Sequence, residues 1–333
     1  MKKSNAKEKI CGLDSYAALA VLTVAACWFF AGRYGVFGAN MDWISQHSVF
    51  PEYFRQQFYQ TGQFFPEYAA NIGGGQNIYN FSYYGLYNPI VLIAYLLPFV
   101  KMSDYLMAAS VICLAVSVCL LYGWLKKRGF STEIAQGVAV LFLLAGPMIY
   151  QSCHQIMFVQ YMPFLLMAFL GVDRYWEKGK PGLYTLGVFL MILTSFYFSI
   201  AGMAAIFLYG WYGYPKGIRK RKLFGFPVPM IVAVLSAGVL LVPTAYAILQ
   251  RSGSSQSQNL KELLMPNLQL DSSLYGTYSV GLTVILVAVL LGGIVCGSIR
   301  ERVVSVVCVA LLTVPVFAWG FNGMLYVRYK SLI

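Results

Sequence analysis

The side chains most suggestive of chemistry in this sequence are those gathered between residues 39 and 88. Asp42 opens that stretch. A carboxylate there suits the positive end of a helix as an N-cap, or serves as a catalytic group. Glu52 and Glu67 are further acids in the same stretch, and Arg55 stands between them. The chain has two histidines, His47 and His154, both in predicted outer loops, and Gln155 follows the second. Asn71-Ile-Gly-Gly-Gly-Gln-Asn77 is polar and flexible, and Tyr79, Tyr83, Tyr84 and Tyr87 crowd the residues after it. No Walker motif, GxSxG, HExxH or CxxC is present, and Gly73–Gly75 lacks the strand–glycine–helix context of a nucleotide loop. Taken singly these signals are weak, because tyrosines near a bilayer usually form an interfacial belt. Their meaning depends on the elements that hold them.

Composition fixes the class of those elements. The 333 residues are 59% apolar and only 11% charged, with a mean hydropathy of +0.65. Soluble domains carry roughly 25% charged residues. That excludes a soluble enzyme, a disordered tail and a nucleic-acid-binding domain. The seven cysteines lie mostly in or beside apolar runs and read as small buried apolar residues, not a disulfide framework. The basic start MKKSNAKEKI leads into about 18 apolar residues with no small-residue cleavage site. A retained first membrane helix is therefore expected, not a cleaved signal.

A bilayer core needs about 20 apolar residues per helix. The spans predicted on that basis are 15–32, 104–125, 132–151, 158–173, 226–249, 276–298 and 303–320. The run 89–100 is too short to span, and 183–213 is too long for one helix. Basic residues cluster at Lys2–Lys9, Lys126–Arg128, Arg174–Lys180, Lys216–Lys222 and Arg300–Arg302, and the positive-inside rule assigns all five clusters to the cytoplasm. They share that face only if 183–213 is a hairpin of two short helices turning near Ser195–Ser199, and if 89–100 dips into the outer leaflet without crossing. On that topology 17 of the 24 basic residues lie inside, so the net charge of +12 reflects orientation. The expected protein is a single all-α transmembrane domain over 1–333, with about nine crossings and a cytoplasmic N-terminus. Its first outer loop, 39–101, carries a surface helix over Trp43–Tyr59 and a dipping segment. A second outer segment covers 250–275.

One helix, a long outer loop opening on Asp, a surface helix, a Gly/Asn/Tyr stretch and a Pro-led half-helix resemble the GT-C glycosyltransferase fold. Within it, the sequence is most similar to the YfhO family of bacterial membrane proteins. The family pattern appears as Asn40-Met-Asp42, Gln46-His47, Asn71-Ile-Gly-Gly-Gly-Gln-Asn77 and Tyr83-Tyr84…Asn88-Pro89. Ser195-Phe-Tyr-Phe-Ser199 resembles the family's hairpin turn, and Gly320-Phe-Asn-Gly323 its outward-leading segment. His47 stands where Tyr is usual and Asn40 where Gly is usual. The end at Ile333 suggests a short or truncated member.

The resemblance implies a bacterial plasma-membrane enzyme that takes a sugar from a polyprenyl-phosphate donor. The acceptor would be a teichoic-acid-like envelope glycopolymer on the outer face, and no nucleic acid is involved. Asp42 would be the general base. Arg251, or Arg55 some thirteen residues beyond Asp42, would meet the leaving lipid phosphate. Gln46, His47, Glu52, Asn71, Asn77, Tyr83, Tyr84, His154, Gln155 and Tyr197 would line the cavity or hold sugar and acceptor. No cofactor is required by this reading, and a divalent metal is an option with Glu52 and Glu67 as ligands. Two alternatives stand beside it, a transporter or flippase and an inactive remnant. The spans hold almost no central ionisable residue and no internal repeat, which argues against an ion-coupled carrier.

Overall fold

The computed structural model describes residues 2–34, 42–146, 148–149, 155–215, 217, 220–250 and 284–317. It is built of helices with one two-residue strand pair, Tyr68–Ala69 against Gln76–Asn77. This is an all-α polytopic membrane protein. Among the described residues four helices are long and apolar enough to cross a bilayer: α1 (Lys2–Tyr34, apolar from Leu13 to Ala31), α4 (Met102–Lys127), α6 (Ile156–Lys178) and α8 (Phe196–Gly213). A fifth crossing is available if Lys222–Ser236, which ends in α10 (Val228–Ser236), and α11 (Gly238–Gln250) form one span bent by 61°. The bend falls at Ser236-Ala237-Gly238, a small-residue junction of the kind at which helices kink. The nine predicted crossings would further require the shorter apolar helices and the segments outside the described residues to span. The second outer segment, 250–275, lies outside the described residues except for Gln250.

The chain divides into two units, Met1–Gln250 and Arg251–Ile333. In the first, α6 packs along α7 (Gly182–Thr194) more closely than any other pair. The reason is small residues: a Cβ on Gly171 would stand 2.4 Å from the backbone nitrogen of Tyr184, and one on Gly187 would stand 2.7 Å from that of Ala168. Membrane helices associate through such backbone approach because lipid leaves little hydrophobic drive. The chain breaks at Ser195, which is extended and whose hydroxyl accepts from the Phe198 amide to start α8. Helix α4 packs against α1, α5 (Thr132–Leu143) and α6. Where α4, α6 and α8 meet, buried Asp173 accepts hydrogen bonds from Trp124 Nε1 at 2.9 Å and from the Tyr209 hydroxyl, with Arg128 3.4 Å away. A buried carboxylate is stable only when compensated in this way.

The loop after α1 is folded, on a core it shares with α4, α6 and α11. A five-residue π turn, Trp43–His47, leads into α2 (Val49–Thr61). A 3-10 helix follows over Ile78–Tyr84, then the short α3 (Pro89–Ile93). Phe54, Ile78, Leu86 and Val91 of this loop are fully buried with Leu106 of α4, Ile156 and Met157 of α6, and Leu240 of α11. Phe50, Phe54 and Phe58, the helically spaced aromatics of the predicted surface helix, face this core. In the second unit, α12 (Val284–Cys296) packs on α13 (Ile299–Phe317), whose Glu301 accepts from the Ser298 amide at its start.

Candidate functional site

Asp42 stands at the head of the π turn with helical φ and ψ, half-buried, and its side chain caps nothing. The turn closes through Trp43, whose carbonyl accepts from both the amide and the hydroxyl of Ser48, at 3.1 and 2.9 Å. Wide turns of this type are uncommon and often lie at functional sites. Its effect here is to bring Gln46 and His47 against the 3-10 helix. Gln46 accepts from the Tyr84 hydroxyl. The His47 ring packs edge-on to Tyr84, centroids 5.5 Å apart, and near Tyr83 at 6.4 Å. Phe50 stacks between Phe81 and Tyr84 and fixes the angle between α2 and the 3-10 helix.

Across from this wall stands the start of α6. Gln155 Oε1 accepts from Tyr83 at 2.9 Å, and Gln155 is also hydrogen-bonded to His47. Tyr83 meets Phe196 and Tyr197 of α8 edge-on, each at 6.2 Å. The structure therefore gathers Gln46, His47, Tyr83, Tyr84, Gln155 and Tyr197 into one cluster from four separated parts of the chain. His47 is 1% exposed, and its Nδ1 has no hydrogen-bond partner. Burial disfavours the imidazolium and holds its pKa at about 4, against the opposing effect of the bond to Gln155. The ring is thus neutral at physiological pH, with Nδ1 a bare acceptor.

Asn88, quoted above as part of the family pattern, and Gln160, which the sequence reading did not single out, extend the polar track. Asn88 caps α3 through its side-chain oxygen and donates to Gln160 Oε1 at 2.6 Å. Gln160 is 0% exposed, and its Nε2 has no partner. The available signal was an amide inside an otherwise apolar predicted span, which in a membrane segment marks a site candidate. Ser82 accepts from Thr244 of α11 at 2.9 Å and ties that helix to the same wall.

Other predicted site residues do different work. Asn77 caps the 3-10 helix, accepting from the Tyr79 amide at 2.9 Å. Asn71 is exposed in the turn between the two short strands. In that turn Gly73, Gly74 and Gly75 all have positive φ, and a Cβ on Gly75 would overlap the Tyr68 hydroxyl. The expected phosphate role of Arg55 needs correction. It is buried, donating to the carbonyls of Leu97 and Val100 at 3.0 and 2.9 Å and pairing with Glu52. That guanidinium is a structural tie between α2 and the turn after α3. Glu52, held by Arg55 and Gln56, is equally committed. Among the described residues no group of three or more His, Cys, Asp and Glu comes together as a metal site would require. Arg251 and His154 lie outside the described residues.

The model of the family described as Bacterial membrane protein YfhO matches residues 17–325. No curated protein and no solved structure matches the chain.

Proposed function

We propose that this chain, which belongs to the YfhO family of bacterial membrane proteins, is a membrane glycosyltransferase of the GT-C type. Its donor is a sugar on polyprenyl phosphate and its acceptor an envelope glycopolymer of the teichoic-acid kind, met on the outer face. The observation that carries the reading is an uncapped carboxylate, Asp42, at the head of a wide turn that ends in Gln46 and His47. An Asp used as a simple N-cap would accept a backbone amide of the following turn; this one does not.

In the reaction, Asp42 takes the proton of an acceptor hydroxyl as that oxygen bonds to the anomeric carbon. The bond from that carbon to the lipid phosphate oxygen breaks, and the phosphate leaves with the electron pair. Proton transfer of this kind contributes about 10²–10⁴ in rate. The departing phosphate needs positive charge nearby, and Arg55 is committed elsewhere. His47, held by Tyr83, Tyr84 and Gln155, belongs to the wall that positions the sugar or acceptor beside Asp42. Envelope polymers from cells carrying the wild-type gene should contain a sugar that is lost with Asp42→Asn at equal expression. Unchanged glycosylation in that variant would sink the assignment.

A further inference from the structure

The turn between α3 and α4 is built for a medium other than water. Four apolar side chains, Leu96, Leu97, Phe99 and Val100, point outward from it, Leu96 at 80% and Phe99 at 98% exposure. On a membrane helix such exposure is ordinary, because the helix satisfies its own backbone. An irregular turn has no such provision, and each unpaired carbonyl is costly in hydrocarbon. Here the carbonyls are provided for from outside the turn. Arg55, 5% exposed, donates one nitrogen to both Leu97 and Val100, and the Tyr59 hydroxyl donates to the Tyr95 carbonyl. The amides of Leu97 and Val100 close back on Ala94 and Leu97 at 3.0 and 3.2 Å. In a solvated loop, water would do all of this.

Beside the apolar tip runs a groove of about 500 Å³ between α2 and residues 98–103. Its charged lining is Glu52 and Arg55, paired with each other, and Lys101, with Ser48, Gln56 and Ser103 beside them. Lys101 is exposed and enters no ion pair among the described residues. A lysine at the foot of an apolar wedge is arranged to keep its stem along acyl chains and its ammonium at headgroup level.

We infer that this turn is a phospholipid-binding wedge. Phe99 and Leu96 enter the leaflet on the side of the first long loop, and the groove seats the phosphodiester of an anionic phospholipid against Lys101. The inference stands apart from the glycosyltransferase reading, since neither observable below involves sugar.

The test uses the full chain in phosphatidylglycerol/phosphatidylcholine vesicles, with a benzophenone amino acid replacing either Phe99 or the exposed loop residue Gln63. Irradiation should give a phospholipid mass adduct at position 99 and none at 63. In native mass spectrometry of the purified protein, Lys101→Gln should weaken phosphatidylglycerol binding about fivefold, the factor that ~1 kcal/mol per lysine at an anionic surface represents. Phosphatidylcholine binding should be unchanged, Lys101→Arg should restore binding, and inorganic phosphate should not compete. No lipid adduct at 99, or phosphatidylglycerol binding indifferent to Lys101→Gln, overturns the proposal.

Discussion

His47 joins the chemistry of the cluster to its stability, and it does so with a definite sign. Its folded-state pKa of about 4 lies below the ordinary value of 6.5, so between those limits the unfolded chain binds more protons than the folded one. Stability is then complete above about pH 6.5 and falls as pH drops toward 4, at up to about 1.4 kcal/mol per pH unit for one such group. Thermal unfolding in detergent from pH 7 to pH 5 should show the wild type losing stability faster than His47→Gln. Parallel curves would mean that the imidazole is not buried as described. The neighbours of His47 explain how much of the site could be read from the sequence. Gln46, Tyr83, Tyr84 and Tyr197 stood out because the order of parts along the chain marked them, and the structure brings them together. Arg55 was misjudged because its partners are the carbonyls of Leu97 and Val100, more than forty residues away, and no local pattern reports a backbone acceptor at that distance. Gln160 was passed over because its partner, Asn88, lies 72 residues away along the chain.

Helices and turns place those side chains, and the tie between α2 and the turn after α3 is the contact most exposed to a single change. Removing the Arg55 guanidinium leaves the Leu97 and Val100 carbonyls without that donor and Glu52 without its cation. Buried groups stripped of a partner cost about 1–3 kcal/mol each. Arg55→Met, which keeps the stem volume, should therefore lower stability by about 3 kcal/mol, measured as a fall in the thermal midpoint of the purified protein. An unchanged midpoint would show that the tie contributes nothing. The existence of these elements was readable from hydropathy, and the Pro89 half-helix in particular begins at the proline that signalled it. What hydropathy could not supply is that the loop after α1 packs into a core shared with α4, α6 and α11. Its aromatics are spaced as well for lying on a bilayer as for packing inward, and only the positions of α4, α6 and α11 decide between the two.

For the molecule as a whole, the uneven distribution of charge predicts an orientation. With the basic clusters inside, Gln63→Cys in a cysteine-free background should react with a membrane-impermeant maleimide in intact cells. Gly129→Cys, beside the Lys126–Arg128 cluster, should react only after permeabilisation. The reverse pattern would put Asp42 on the face without envelope acceptors and end the enzymatic account. Membership of a bacterial membrane family was within reach of the sequence because the order of its parts runs through most of the chain, and the family match covers residues 17–325. The donor and acceptor have no comparable signature, since sugar identity is set by the shape of a cavity and not by spacing along the chain. Proteoliposomes holding the purified protein, a labelled polyprenyl-phosphate sugar and the envelope polymer therefore give the most direct measurement. Wild-type protein should move label from lipid to polymer, and Asp42→Asn should do so at least about 100-fold more slowly. Equal rates for the two, or labelled lipid crossing the bilayer with no sugar transferred, would contradict a base-catalysed glycosyl transfer at Asp42.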